Sequence, residues 1–278
     1  MFSEAFKLAS KYTFPVLVSS RFFDGTVESG IGSFIIINEE GWILTAAHII
    51  GGLNTHNQHL KEIQEYQNQN QHFTRTSKVV ANPKWMTHHS LWFGADHHQI
   101  RQFHVLPEND LAIGKIENYD PSFVKDYPVF INPDDIHPGT SLCKLGYPFY
   151  DVKATYNLIQ NRFVFDPSIF PIPTFPMDGI MTRNVITGHS QDNEYTYKWL
   201  ETSTPGLRGQ SGGPTFDKQG RVWAIQSQTR HLPLGFSPSV KKGNQVVEEN
   251  QFLNVGWGVH IETIVKFLNK NNVKFKSA

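Results

Sequence analysis

The sequence predicts an all-β fold, a barrel or a sandwich, and three observations carry that reading. Short apolar, β-rich runs recur along most of the chain. Turn-forming clusters such as the NEEG of residues 38–41 separate them, and prolines in residues 166–177 exclude both helix and interior strand from the longest greasy connection. With 39% hydrophobic, 13% aromatic and 18% charged residues over 278 positions, the composition is globular and large enough for one big domain or two small ones.

Taken in order, the N-terminal stretch MFSEAFKLASKYTFPVLV reads as a short amphipathic helix with Phe2 and Phe6 inward, Leu8 and Ala9 beside them, followed by a strand. It carries an early acidic residue and no apolar core ending at a small-residue cleavage site, so a secretory leader is not expected. Residues 14–22 and 31–37 read as strands across a polar, Gly-containing link. Residues 42–45 form another strand and 46–50 a single helical turn. Residues 55–76, rich in Gln, Asn and His, read as a surface helix or insertion with Leu60, Ile63 and Tyr66 at helical spacing. Strands are then expected at 78–81, 100–106 and 111–116, with a Pro-bearing crossing at 117–138. A second group of strands is expected near 140–146, 152–165, 179–188, 195–201, 214–216 and 222–227. Ile261, Ile264, Val265 and Leu268 share one face of a C-terminal helix.

Charge and cysteine content exclude several functions. Lys plus Arg equals Asp plus Glu, 25 each, with no polybasic run, so no nucleic-acid partner is expected. No apolar stretch approaches the roughly 20 residues that span a bilayer, so no membrane partner is expected either. Cys143 is the one cysteine. It reads as a buried small hydrophobe, and with no intrachain disulfide available the expected compartment is the cytoplasm. The histidines at 88, 89, 97, 98 and 104 invite a metal reading. Adjacent histidines on an extended chain point to opposite faces, so no metal and no cofactor are expected.

Three segments carry chemistry. In residues 206–214, GLRGQSGGP, the glycine before Ser211 permits backbone angles that turn N–H groups toward one point, and those after it keep side chains clear. A serine hydroxyl needs a base to act as a nucleophile. His48, in ILTAAHII, follows two small residues at a strand end, where its ring can face a cleft; a lone histidine there is more often packed or solvated. Asp110, in NDLAI, opens a β-rich run, where a lone aspartate is usually a turn residue.

Together these segments resemble the chymotrypsin/trypsin-like serine peptidases: TAAHI, NDLAI and GQSGGP are similar to that family's histidine, aspartate and serine motifs. They stand in the family's order, about 60 and then about 100 residues apart. The resemblance is to the bacterial trypsin-like group that includes the high-temperature-requirement proteases and glutamyl endopeptidases. It implies two antiparallel six-stranded β-barrels with short N- and C-terminal helices. Residues 1–125 would hold the N-terminal helix and the barrel carrying His48 and Asp110. Residues 126–278 would hold the barrel carrying Ser211 and the C-terminal helix.

It further implies an endopeptidase with His48 as base, Asp110 as orienting carboxylate and Ser211 as nucleophile. The oxyanion hole falls at Gly209, Gln210 and Ser211, through the N–H groups of Gly209 and Ser211. Protein or peptide substrates would be bound by Thr204, Ser227, Gln228, Thr229, Gly258 and His260. Gln210 stands where animal relatives have an activating aspartate, so an activating protein partner or effector is expected to order this loop. Residues 204–206 contain no acid, which disfavours cleavage after Lys or Arg. A small or medium apolar residue is expected, with His260 or His189 as the route to an acidic one. The alternative is a catalytically silent binding module that keeps the fold.

Overall fold

The computed structural model describes residues 1–72, 80–96, 98–243 and 245–278. Helix α1 (Ser3–Ala9) is followed by strands β1 (Thr13–Phe22), β2 (Val27–Ile36) and β3 (Trp42–Ala46), then helices α2 (Ala47–Ile50) and α3 (Gly52–His72). Strands β4 (Met86–Phe93), β5 (Phe103–Leu106) and β6 (Leu111–Lys115) complete a six-stranded antiparallel sheet in the order β4-β1-β2-β3-β6-β5. The inner end of β2 explains its own position. Ser33 to Ile36 are all fully buried, because one face of the strand fills the sheet's interior and the other meets the second lobe.

The second lobe runs through β7 (Val129–Phe130), β8 (Ser141–Gly146), β9 (Ala154–Asn157), β10 (Arg162–Phe165), β11 (Phe175–His189), β12 (Thr196–Thr202), β13 (Pro214–Phe216) and β14 (Arg221–Pro233). After these come β15 (Ser239–Lys242), β16 (Gln245–Glu248), β17 (Phe252–His260), helix α4 (Ile261–Lys270) and β18 (Lys276–Ser277). Strands β13-β8-β11-β12-β17-β14 form a ring that β13 and β14 close by pairing with each other; β7 and β18 add to its edge in parallel. Closure leaves this six-stranded barrel without a free edge over most of its length. Buried Leu142, Met181, Leu200, Trp223 and Val259 belong to an apolar cluster that continues into the first lobe.

The two terminal helices pack by their apolar faces. Ile261, Ile264, Phe267 and Leu268 of α4 are buried. In α1, Ala5 and Ala9 are buried, and Phe2 meets Phe216 edge-on with ring centroids 6.3 Å apart. The N-terminal helix therefore leans on the second lobe, although it precedes the first in sequence.

The sequence reading fails between 78 and 104. Residues 78 and 79 lie outside the described residues, and Val80 and Ala81 are irregular; the strand is β4, eight residues further on. Its His, Ser and Trp content hid it, because both faces are half-buried and neither alternates cleanly. His89 Nδ1 meets Ser20 Oγ at 2.9 Å, and His88 packs 4.4 Å from the Tyr156 ring centre. His98 Nδ1 donates to the Phe93 carbonyl at 2.8 Å, and His97 lies outside the described residues. Among the described residues no group of histidines, cysteines and carboxylates could hold a metal ion.

Candidate active site

Helix α2 turns immediately after β3 and buries Ala47, Ile49 and Ile50, which leaves His48 facing the cleft with its side chain half exposed. Asp110 closes a short turn, Pro107–Asn109, with φ 51° and ψ 44°. Few non-glycine residues accept that left-handed conformation, and aspartate is one of them. The turn swings the carboxylate back onto α2. Asp110 Oδ1 accepts from the His48 backbone N–H and Oδ2 from His48 Nδ1, both at 2.8 Å, while the Asp110 carbonyl accepts from Ala47 N–H at 3.1 Å. A carboxylate against Nδ1 requires the hydrogen there, which leaves the Nε2 lone pair free to accept a proton. Burial pushes the Asp110 carboxyl up. The hydrogen bond and charge of His48, and then the Ser227 hydroxyl, outweigh it and hold the group below its ordinary range.

The Ser211 loop is built from close backbone approaches. Gly209 and Gly212 have φ of +99° and +85°. A Cβ on Gly209 would lie 2.4 Å from the Tyr147 carbonyl oxygen; one on Gly212 would lie 2.0 Å from that of Ser33, and one on Gly213 2.0 Å from that of Leu145. Only glycine fits at these positions. Ser33, from β2, holds the loop from the first lobe. Its Oγ donates to the Gly209 carbonyl and its N–H to the Ser211 carbonyl, both at 2.7 Å. Buried Gln210 closes a small ring, its Oε1 accepting from Leu207 N–H and its own N–H donating to the Leu207 carbonyl, each at 2.9 Å. The N–H groups of Gly209 and Ser211 donate to no other group among the described residues. Ser211 Oγ donates to the Ser227 carbonyl at 3.2 Å, and Ser227 Oγ to Asp110 Oδ2 at 2.5 Å.

The expected substrate-binding residues divide. Ser227 and Gln228 line a cleft of about 630 Å³ with His48, Asp110 and Arg230. Thr229 and Thr204 stand beside Gly206 and Gly256, where the segment before Ser211 faces the inner side of β14 and β17. Gly258 and His260 do not join them. A Cβ on Gly258 would meet Ala224 at 2.9 Å, inside the barrel. His260 is fully buried, and its Nδ1 accepts from Glu262 N–H at 3.1 Å as the N-cap of α4. Burial first, and then the charge of Lys198, push its pKa down to about 4. Capping α4 accounts for Nδ1 of this histidine, while its Nε2 is buried without a hydrogen-bond partner. His189 is exposed, with its ring on Thr196 Oγ1 at 3.3 Å.

Three contributors escaped the sequence reading: Ser33, Gln226 and Lys144. Lys144 is 1% exposed, and its Nζ donates to the Thr204 carbonyl at 2.6 Å, the Pro205 carbonyl at 2.7 Å and Thr202 Oγ1 at 3.1 Å. Three acceptors match the three donors of an ammonium, while burial pulls the group down to about 7. A lysine between Cys143 and Leu145 in an otherwise apolar strand was the available signal.

With this geometry in view, comparison with known proteins is decisive. The family model described as trypsin-like peptidase domain matches residues 32–225. The chain belongs to the trypsin-like peptidase domain family. The matched span contains His48, Asp110 and Ser211. This peptidase domain is similar to a probable periplasmic serine endoprotease, DegP-like, of Marinomonas sp. (strain MWYL1), at 25% identity over 209 residues. The match covers 75% of this chain and 32% of that protein, so the chain spans about a third of the relative's length. Two solved structures of the HtrA-type protease AlgW share its fold. One, with a tripeptide, is 14% identical with a TM-score of 0.52 and covers 97% of this chain and 63% of the other. The second, a variant with a decapeptide, is 13% identical with a TM-score of 0.53 and covers 98% and 68%. No helix among the described residues is long and apolar enough to cross a membrane.

Proposed function

We propose that this domain is a serine endopeptidase that hydrolyses peptide bonds through His48, Asp110 and Ser211. The observation that supports it most is the Asp110 carboxylate held against His48 at two points, 2.8 Å each, with Ser227 bonded both to that carboxylate and to Ser211 Oγ. In the proposed reaction His48 Nε2 takes the Ser211 proton as Oγ attacks the substrate carbonyl, then returns it to the leaving amine. Asp110 keeps the imidazole in the required tautomer and balances its charge. The tetrahedral oxyanion is received by the N–H groups of Gly209 and Ser211, with Gln210 between them setting the loop's shape. Water then hydrolyses the acyl-enzyme. Residues 1–125 and 126–278 act as the two halves of one cleft.

Ser211 Oγ rests on the Ser227 carbonyl, so it must turn away from it to reach Nε2. That resting position favours control by an activating partner or effector acting on the 207–210 loop. The substrate is a protein or peptide chain. The cytoplasm is the proposed compartment on the strength of one unpaired cysteine, whereas the DegP-like relative is described as periplasmic; subcellular fractionation distinguishes the two.

A serine-directed fluorophosphonate tests the chemistry. It is expected to label Ser211, with labelling lost in Ser211→Ala and peptide hydrolysis reduced about 10⁴-fold in Asp110→Asn. An intact fold that never labels, with or without cellular partners, would instead identify a silent binding module.

A further inference from the structure

The space beside Ser211 is crossed twice by side chains of β14. One wall is the segment from Thr204 to Gly206; the other is β14 beyond Gln226, backed by β17. The Thr229 hydroxyl donates across this gap to the Gly206 carbonyl. Gln226, 1% exposed, lies deeper, and its Nε2 donates to the carbonyls of Gln228 and Trp257, both at 3.1 Å. A Cβ added to Gly206 would come 2.2 Å from that nitrogen. The Gln226 amide therefore fills the volume that a side chain at 206 would occupy, and the two walls are joined above it by Thr229.

A peptide whose carbonyl meets Ser211 Oγ, and whose adjoining N–H meets the Ser227 carbonyl, directs that residue's side chain between these walls. Resting on the peptidase reading above, we infer that the residue cleaved after is glycine, alanine or serine, and that Gln226 and Thr229 set this limit. Leucine or phenylalanine would have to displace the Gln226 amide and leave the Gln228 and Trp257 carbonyls without their donor. A carboxylate gains no donor from Gln226 or Lys144 either: both hydrogens of Gln226 Nε2 are engaged, and the Lys144 ammonium already has three acceptors.

The test is a series of otherwise identical peptides that vary only in the residue before the scissile bond: Gly, Ala, Ser, Leu, Phe or Glu. Because one misplaced methylene in such a pocket changes kcat/KM by about 10- to 200-fold, Ala or Ser is expected to exceed Leu, Phe and Glu by at least about 100-fold. Gln226→Ala and Thr229→Gly should each raise the Leu:Ala ratio of kcat/KM at least about tenfold. Gln226→Leu, which keeps the volume, should retain the preference for Ala. Melting curves establish that each variant is folded, and the partly exposed Thr229 site provides the measurement if Gln226→Ala does not fold. Equal cleavage after Leu, Phe or Glu by the unaltered protein, or a ratio unmoved in the folded variants, would overturn the inference. Fluorophosphonate labelling of Ser211 in the same preparation separates the two readings. Labelling with a flat peptide series removes the short slot alone, and labelling absent both with and without cellular partners removes the peptidase chemistry and the slot with it.

Discussion

The Ser227 hydroxyl donates to Asp110 Oδ2 at 2.5 Å, on the same oxygen that receives His48 Nδ1. One carboxylate oxygen thus collects two side-chain donors from opposite lobes, while its partner oxygen takes the His48 backbone N–H. The Asp110 geometry is consequently over-determined, and it depends on the lobes being correctly docked.

Replacing Ser227 by alanine removes one charge-assisted donor, a loss of about 1.5–3 kcal/mol where the group is buried, so kcat/KM should fall between about tenfold and about 100-fold. The pH dependence of stability should move with it. Asp110 is depressed in the folded protein, so it stabilises the fold above its unfolded value, and that contribution disappears as pH falls through the folded value. In Ser227→Ala the folded value rises toward the ordinary range, so less acid stability is left to lose. Thermal melts of both proteins from about pH 3 to about pH 6, bracketing an ordinary aspartate, provide the check. Parallel curves for the two proteins would contradict the coupling.

Gly212→Ala should be among the most damaging single substitutions. Its φ is +85°, and the new Cβ would lie 2.0 Å from the Ser33 carbonyl oxygen, with Thr45 Oγ1 at 2.4 Å. That carbonyl also accepts from Thr45 Oγ1 at 2.8 Å, so it is not free to retreat. Strain from the left-handed conformation and from backbone overlap together predict a loss of about 2–4 kcal/mol in urea unfolding. Gly30→Ala, with open space at its Cβ position, serves as the tolerated comparison.

The three motifs proposed to carry the chemistry stand out because each is a short contiguous string whose residue types that chemistry demands. His48, Asp110 and Ser211 were readable in that way, as were the strands whose alternation is clean. Residues 86–93 were not, since β4 carries polar and aromatic side chains on both half-buried faces. The pocket residues show a different limit. Counting along the strand from Ser211 pointed to Ser227 and Gln228, which the structure sets in the cleft beside His48 and Asp110, and to His260, which it buries at the start of α4, because the direction of that side chain is decided by the helix end. Lys144 stood out as a lone charge in an apolar strand, but what it bonds was beyond reach for the same kind of reason. Its acceptors lie 58 to 61 residues away in sequence, and only the closed barrel brings them to one point.

Lys144 should make stability rise with pH in a window where few groups titrate. Unfolded, its amine keeps a proton up to about pH 10.4. Folded, burial pulls the value down to about 7. Between these values the unfolded chain binds the extra proton, so stability increases from near neutrality toward alkaline pH and is insensitive to this group below it. The full shift corresponds to a few kcal/mol. The three acceptors on Nζ act in the opposite sense, since they favour the ammonium, and the measured rise should therefore fall short of that figure. Lys144→Met removes the titrating group, takes one of two donors from the Thr204 carbonyl, which keeps Thr202 Oγ1, and leaves the Pro205 carbonyl without a donor. It should unfold at lower urea than the parent at every pH and lack the climb that the parent shows between about pH 7 and about pH 8.5, below the range where Cys143, its thiol pushed up by burial, begins to lower stability. Because those carbonyls shape the wall beside Gly206, peptide hydrolysis by the folded variant should lose kcat/KM as well. A variant whose stability still climbs in parallel with the parent's would assign the alkaline rise to another group.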